Sequence, residues 1–302
     1  MVIRNVGVLG LGNIGSSIAK LLAQSGFIVH GYDPREEARL RLTDDGGESH
    51  ESAISVVGES EVIITSLPSA VALTQVLEET VTLLAGKVLI ETSTLDLQSK
   101  MMAYKIVTSA GGQIVDSPLS GTAMQAAKGD VVAYASADEG VIDQVIDVLD
   151  GFNRRTYRLG SYGTGSKMKY IANLLVAVHN VSTAEALVLA KRAGLDLDEA
   201  IEVIADGAGG SRMLEVRGPM MAAGTYGAPG MNVGVFMKDI AVISSYARDL
   251  GVPTPLLSAS TPIYAAAVAH GWSNSDTASV YAILSDMANL KRDKLPEEKG
   301  SS

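Results

Sequence analysis

From Val6 to about Leu159, short runs rich in β-branched and apolar residues alternate with stretches whose apolar residues recur at helical spacing. The runs that predict strands are VGVLG, IVHGYD, VIITSLP, KVLIET, QIVDSP and VVAYAS, and a helix is predicted over residues 14–25. Strands separated by helices form βαβ units, which build a mainly parallel sheet covered on both faces. The pattern therefore predicts a doubly wound α/β domain.

After Gly165 the strand pattern ends and helical periodicity takes over, with glycines between the helices. The predicted helices cover residues 166–193, 196–206, 211–223, 232–250, 254–270 and 274–291. We predict an α/β domain over residues 1–163 and an all-α domain over 164–291 that begins with a long interdomain helix. The charged and polar end, residues 292–302, is predicted to be a flexible tail.

The composition indicates which kinds of binding partner and which cellular compartment to expect. The 34 acidic side chains exceed the 24 basic ones, and a net charge of −10 disfavours binding to phosphates, so no nucleic-acid partner is expected. The absence of cysteine excludes disulfides and thiolate chemistry and suits a reducing cytoplasm. No leader precedes the first strand and no uninterrupted apolar run reaches the length of a membrane span. We expect a cytoplasmic protein without a membrane partner.

A glycine-rich turn joins the first predicted strand to the first predicted helix. In GLGNIG the glycines have the G-x-G-x-x-G spacing, which allows a tight turn, close approach of a pyrophosphate and close packing of helix on strand. A phosphate bound there lies at the positive end of the helix. The predicted phosphate-binding residues of this dinucleotide site are Gly10, Leu11, Gly12, Asn13, Ile14 and Gly15.

The second strand ends at Asp33, where a carboxylate can accept hydrogen bonds from the adenosine ribose. The same carboxylate repels the 2′-phosphate of NADP, so NAD is the predicted cofactor. Arg35 could pair with that phosphate, and NADP therefore stays open. Pro34, between the two charged residues, is included in the predicted cofactor site.

Two more strand ends fall on the same predicted edge of the sheet. Ligands of open α/β sheets bind at the carboxyl edge, which makes Leu67 and Pro68 in SLPSA and Thr94 in ETSTL candidates for the cofactor crevice. Alone, these residues would be ordinary loop residues.

The strand QIVDSP runs into Ser120, Gly121 and Thr122, ahead of a small-residue helix. Backbone amides and hydroxyls in such a turn can hold a substrate carboxylate. The alternative is a glycine turn followed by a helix cap.

Several motifs of other chemistries are absent. The sequence contains no G-x-S-x-G, H-E-x-x-H or G-x-x-x-x-G-K-[ST] pattern. The histidines at positions 30, 50, 179 and 270 show no metal-ligand spacing, and no metal is predicted.

The stretch GTGSKMKYIAN opens the long helix and places Lys169 and Asn173 four residues apart, on one helical face. Polar groups on a half-buried face either reach water or take part in chemistry. The pattern alone leaves both interpretations open.

The order of GLGNIG, DSPLSG, GSYGTGSKMKYIAN and FMKDI resembles the β-hydroxyacid dehydrogenases over roughly residues 6–290. The resemblance implies hydride transfer between a nicotinamide cofactor and a small anionic 3-hydroxy acid, in exchange with its aldehyde or keto form. It implies that Lys169 is the catalytic acid/base and that Asn173 orients the lysine or the substrate. The remaining implied contacts are Ser120, Gly121 and Thr122 with the substrate, Thr94 with the cofactor, and Lys238 with both.

The sequence departs from the family pattern at two positions. Thr122 replaces a second glycine and Ser245 replaces an acid, both near where substrates are distinguished, so the side group of the substrate stays open. The long helix is apolar on more than one side. Family members form dimers or tetramers, and the resemblance implies a homodimer or homotetramer in which the all-α domain serves substrate binding and oligomerisation.

Three alternatives remain at this point. The first is a non-catalytic dinucleotide-binding module, which has no need of Lys169. The second is imine reduction on a related fold, which usually has an acid or a tyrosine in place of that lysine. The third is decarboxylating phosphogluconate chemistry, which normally comes with a much longer helical domain.

Overall fold

The computed structural model describes residues 3–227 and 230–290. The chain divides into two compact units, Met1–Lys169 and Tyr170–Ser302. This division falls shortly after the predicted boundary at residue 163. The predicted tail, residues 292–302, lies outside the described residues.

The first unit is built on a six-stranded parallel sheet. Its strands are β1 (Asn5–Leu9), β2 (Ile28–Tyr32), β3 (Glu48–Ser49), β4 (Val62–Thr65), β5 (Val88–Glu91) and β6 (Gln113–Asp116). The order β3-β2-β1-β4-β5-β6 is that of a doubly wound sheet, in which a dinucleotide crosses the carboxyl edge. The prediction of a doubly wound, mainly parallel sheet is confirmed.

Helices cover both faces of this sheet. They are α1 (Asn13–Gln24), α2 (Glu36–Asp44), α3 (Ala53–Glu59), α4 (Ala70–Thr80), α5 (Leu97–Ser109), α6 (Ala123–Ala126), α7 (Val141–Gln144) and α8 (Ile146–Asp150). Successive residues of β4 enter opposite cores, with Val62 and Ile64 in one and Ile63 in the other. Burial on both faces explains why these strands appear in the sequence as continuous apolar runs.

A second, three-stranded sheet follows in the same unit, formed by β7 (Leu119–Ser120), β8 (Val132–Ala135) and β9 (Arg155–Arg158). The run VVAYAS, predicted within the parallel sheet, is β8 of this separate sheet, which corrects its placement. Strand β8 pairs antiparallel with β7 and parallel with β9. The chain reverses after β6, so β8 pairs with the two-residue β7 and does not extend the larger sheet.

The remaining helices are α9 (Thr164–Arg192), α10 (Leu197–Asp206), α11 (Arg212–Ala223), α12 (Val233–Asp249), α13 (Pro255–Ala269) and α14 (Val280–Met287), with a 3₁₀ turn over Thr277–Ser279. Helix α9 begins in the first unit, and most of its length belongs to the second. The predicted helical half that opens with one long helix is confirmed.

Among the described residues, α9 is long and apolar enough, by length and composition, to cross a membrane. Core helices share these properties, and buried apolar residues recur every three or four positions along it: Ala177, Val181, Ala184 and Leu187. The Nδ2 of buried Asn180 donates to the carbonyl of Thr277 at 2.7 Å and lies 3.2 Å from the Tyr264 hydroxyl. These contacts identify α9 as a core helix of the helical unit.

Candidate active site

The loop from β1 to α1 uses its three glycines differently. Gly10 has φ +91°, and a Cβ there would lie 2.4 Å from the carbonyl oxygen of Ser66. A Cβ on Gly15 would lie 1.8 Å from the Gly10 carbonyl oxygen. A Cβ on Gly12 would meet no atom of the described residues within 4 Å. The fold thus needs glycine at the first and third positions, whereas the second opens the space that a pyrophosphate requires.

The beginning of α1 suits the same anion. Gly12 is the N-cap residue, and no side chain of the described residues caps the helix there. The first amides of an α-helix have no partner within the helix, so those of α1, starting at Asn13 and Ile14, can donate to a phosphate. The loop and the helix start together fit the diphosphate of a dinucleotide.

Asp33, directly after β2, is buried, and both of its carboxylate oxygens accept hydrogen bonds. One carboxylate oxygen accepts from the amide of Leu11 (2.9 Å) and Nη2 of Arg35 (3.0 Å), and the other accepts from the amide (3.0 Å) and Nε (2.9 Å) of Arg35. Burial raises the pKa of Asp33, but the hydrogen bonds from Arg35 and Leu11 outweigh burial and hold the pKa below its ordinary value. The carboxylate is therefore charged at neutral pH, and the guanidinium of Arg35 occupies one acceptor position on each oxygen.

The other predicted cofactor residues lie at the same sheet edge. The amide of Leu67, after β4, donates to the hydroxyl of Ser93, after β5, at 2.8 Å. Pro68 is exposed and Thr94 is half-buried. The structure therefore brings the loops after β1, β4 and β5 together where the sequence placed the cofactor crevice.

The predicted carboxylate loop begins at the end of β7. Gly121 has φ +150°, and a Cβ there would lie 2.7 Å from Cγ1 of Val131, so glycine is required. Thr122 caps α6: its amide donates to Oε1 of Gln125 (2.9 Å) and its hydroxyl accepts from the Gln125 amide (3.2 Å). The turn-and-cap alternative thus describes Thr122, whose hydroxyl proton is not used by these two bonds.

Lys169 lies in the second turn of α9 with only 5% of its surface exposed. Its Nζ donates to the carbonyl oxygen of Leu119 at 2.6 Å. Leu119 precedes Ser120 in β7, so the amine is held beside the loop predicted to bind the substrate carboxylate. Lys167, two residues earlier on the same helix, is exposed.

The start of α9 is fixed by a buried carboxylate that the sequence analysis did not assign. Asp116, the last residue of β6, accepts from the amide (2.7 Å) and hydroxyl (2.8 Å) of Ser166. The amide of Gly165 donates to the Ser136 hydroxyl at 2.8 Å, and a Cβ on Gly165 would lie 2.1 Å from the carbonyl oxygen of Tyr134. These contacts determine the position from which Lys169 extends.

Beneath this anchor, Lys100 of α5 is completely buried between Glu91 and Asp116. Its Nζ hydrogen-bonds to Glu91 and, at 2.9 Å, to Asp116. Burial lowers the pKa of Lys100, but the charges of Asp116 and Glu91 raise it above the ordinary lysine value. Glu91 and Asp116 end the neighbouring strands β5 and β6. Acidic residues at the ends of two buried strands are the feature of the sequence that could have indicated a buried cation.

In the second unit, Asn173 is buried and its Nδ2 donates to Oδ2 of Asp239 on α12 at 3.0 Å. The Nζ of Lys238 lies 3.7 Å from the other oxygen of the Asp239 carboxylate. The structure therefore groups Asn173 with the Lys-Asp pair, an association that sequence spacing could not show.

Each half of the chain matches a known protein family. The family described as the NAD-binding domain of 6-phosphogluconate dehydrogenase matches residues 5–160. The family described as NAD-binding of NADP-dependent 3-hydroxyisobutyrate dehydrogenase matches residues 163–284.

Whole-length relatives point the same way. L-threonate dehydrogenase of Cupriavidus necator is 33% identical over 286 residues, which cover 93% of this chain and 96% of that protein. The structure of 3-hydroxyisobutyrate dehydrogenase from Salmonella typhimurium matches with a TM-score of 0.84 and 30% identity, covering 93% of this chain and 99% of the other. The Mycobacterium tuberculosis 3-hydroxyisobutyrate dehydrogenase with L-serine matches with a TM-score of 0.86 and 25% identity, covering 94% and 99%. The chain therefore belongs to the β-hydroxyacid dehydrogenase family.

Proposed function

We propose that this protein is an NAD(P)-dependent dehydrogenase that interconverts a small 3-hydroxy acid and its aldehyde or keto form, with Lys169 as general acid/base. One observation supports this proposal above the others. A buried amine on α9 is hydrogen-bonded to Leu119, next to Ser120 in the loop assigned to the substrate carboxylate.

Lys169 transfers a proton to and from the substrate oxygen. During oxidation its neutral amine accepts the hydroxyl proton of the substrate, and during reduction its ammonium returns a proton to the carbonyl oxygen. A bound nicotinamide supplies the hydride acceptor or donor at the carbon. The hydrogen bond to Leu119 uses one Nζ proton and fixes the direction of the amine.

The loop after β7 orients the substrate. The hydroxyls of Ser120 and Thr122 are short, neutral donors suited to a carboxylate. By their names, two of the relatives described above act on threonate and 3-hydroxyisobutyrate, and both substrates are small anions. We therefore assign the substrate to the small 3-hydroxy acids, with Asn173 orienting the lysine or the substrate and Lys238 adding a positive charge.

A panel assay tests the activity. Purified protein with NAD or NADP is expected to form NADH or NADPH, followed by absorbance, with at least one of threonate, 3-hydroxyisobutyrate, glycerate, serine and a sulfolactate-type acid. Cofactor binding measured by fluorescence, with no turnover across the panel, would contradict a dehydrogenase and favour the non-catalytic binding module.

We propose NAD as the preferred cofactor, because the Asp33 carboxylate is charged and stands where the adenosine ribose is expected. Arg35 holds both oxygens of that carboxylate while 60% of its own side chain is exposed. A ribose hydroxyl that donates to Asp33 must therefore displace one of the Arg35 contacts, and the released guanidinium would be free to meet a 2′-phosphate.

The Arg35→Ala variant separates these two roles. Its ratio of kcat/KM for NAD to that for NADP is expected to rise by up to ~5-fold over wild type, since a surface ion pair with phosphate contributes up to about 1 kcal/mol. Initial rates with both cofactors measure the ratio, and Arg41→Ala on α2 is the control. A wild type that prefers NADP, or a ratio that falls in Arg35→Ala, would reverse the assignment.

A further inference from the structure

Two histidines that are 20 residues apart in the sequence lie in contact at the edge of the large sheet. In the parallel pairing of β2 with β3, His30 is the register partner of Glu48. Side chains of register partners lie on the same face. His50 directly follows β3, and its amide continues the pairing by donating to the carbonyl of Gly31 at 2.9 Å, which places its side chain on this face too. Spacing along the chain predicted no metal site, because the group forms only through strand pairing.

Three potential ligand atoms converge there. The Nδ1 of His30 lies 3.1 Å from Nε2 of His50 and 3.4 Å from Oε2 of Glu48. All three atoms lie within 4.8 Å of one another. Two imidazole nitrogens bound to one tetrahedral zinc ion at about 2.05 Å would be separated by roughly 3.3 Å, so the observed spacing needs little adjustment.

The protonation of His30 is fixed by its other neighbour. The side-chain amide of Asn5 hydrogen-bonds to the Glu61 carboxylate, which can only accept, so Nδ2 of Asn5 is the donor there. Oδ1 of Asn5 then faces Nε2 of His30 at 3.2 Å and accepts from it. The neutral ring then presents a lone pair, not a proton, at Nδ1.

In this tautomer the group presents more acceptors than protons, and only the exposed Glu48 carboxylate can turn to water. The His30 lone pair and the Glu48 carboxylate face each other, and one Nε2 proton on His50 can serve only one of them. A cation at the centre would satisfy all three, and a carboxylate plus two imidazoles is a ligand set that zinc and similar ions prefer. The Asn5 contact matches the outer hydrogen bond that orients metal-binding histidines.

We propose that His30, His50 and Glu48 bind one divalent transition-metal ion of zinc-like preference, with water completing the coordination. His30 is buried at 6% side-chain exposure, whereas Glu48 is 65% exposed, so the site has a rigid inner ligand and an entry from solvent. The ion joins the two-residue edge strand β3 to β2, the strand that leads into Asp33. This proposal is independent of the catalytic assignment.

Metal titration of the untagged, chelator-treated full chain tests the site. Co²⁺ is expected to bind one per chain with the visible absorption of a low-coordinate site, and Zn²⁺ is expected to displace it and raise Tm. The Glu48→Gln and His50→Ala variants change the more accessible ligands and are expected to weaken Zn²⁺ binding by at least ~10-fold in calorimetry. The chain has no cysteine, so thiolate sites cannot contribute.

The exposed His270 provides the control, and His270→Ala is expected to bind both metals like wild type. Circular dichroism of each variant without metal shows whether the fold is retained. Equal affinity in wild type and His50→Ala would overturn the proposal. So would the absence of stoichiometric Co²⁺ or Zn²⁺ binding by folded wild type, which would leave a hydrogen-bonded histidine pair.

Discussion

Replacing Lys169 by alanine is expected to lower kcat by at least ~10²-fold, because general acid/base catalysis typically contributes 10²- to 10⁴-fold. A 10²-fold loss corresponds to about 2.7 kcal/mol of transition-state stabilisation. The dinucleotide residues lie on other elements, so the Kd for NAD(H), measured by fluorescence, should change little. Steady-state rates on the best panel substrate give kcat and KM separately, which distinguishes lost chemistry from lost binding.

Lys167 supplies the matched control for this experiment. It lies on the same turns of α9 but is exposed, so Lys167→Ala should retain wild-type kcat. Because Lys169→Ala also removes the donor to the Leu119 carbonyl, its Tm must be measured beside its rate. Added small primary amines should restore part of the activity if a proton carrier has been lost. A folded Lys169→Ala that retains most of its kcat would remove Lys169 from the mechanism.

The sequence was sufficient for the main architecture because burial on both faces leaves unmistakable apolar runs. Strands β1, β2, β4, β5 and β6 were all predicted, as were the helices of the second half. The strands missed were β3 and β7, with two residues each, and the polar and largely exposed β9. Their pairing depends on neighbouring backbone and turns, and such short segments carry too few residues to show a period.

For the candidate site residues, too, the sequence revealed what lies in one continuous motif but not the contacts between distant segments. The glycine loop and Lys169 belong to contiguous motifs, so the sequence alone was enough to propose them as site residues. The contacts of Asn173 with Asp239, of Lys169 with Leu119 and of His30 with His50 join distant parts of the chain. Two acids at the ends of adjacent strands and one lysine on a buried helical face were visible in the sequence, but only strand order places them together.

Replacing Lys100 is expected to have the second large effect, in this case on the stability of the fold. Substituting Lys100→Met removes a fully buried ammonium and leaves Glu91 and Asp116 beside each other without their cation. Breaking a buried ion pair by removing one partner typically costs 3–5 kcal/mol, and we expect the free energy of unfolding to fall by about that amount. Urea denaturation followed by circular dichroism measures the change.

The pKa of Lys100 specifies how this loss depends on pH. Because the folded-state pKa is raised above the unfolded value, the stabilisation is fully present below the ordinary lysine pKa of about 10.4 and is lost as pH rises through the folded value. The difference between wild type and Lys100→Met should therefore be the same at pH 7 and pH 9. Lys105→Met, an exposed change on the same helix, should leave stability within about 0.5 kcal/mol of wild type. Equal stability of Lys100→Met and Lys105→Met would show that the buried cation does not stabilise the two acids, and with them the start of α9.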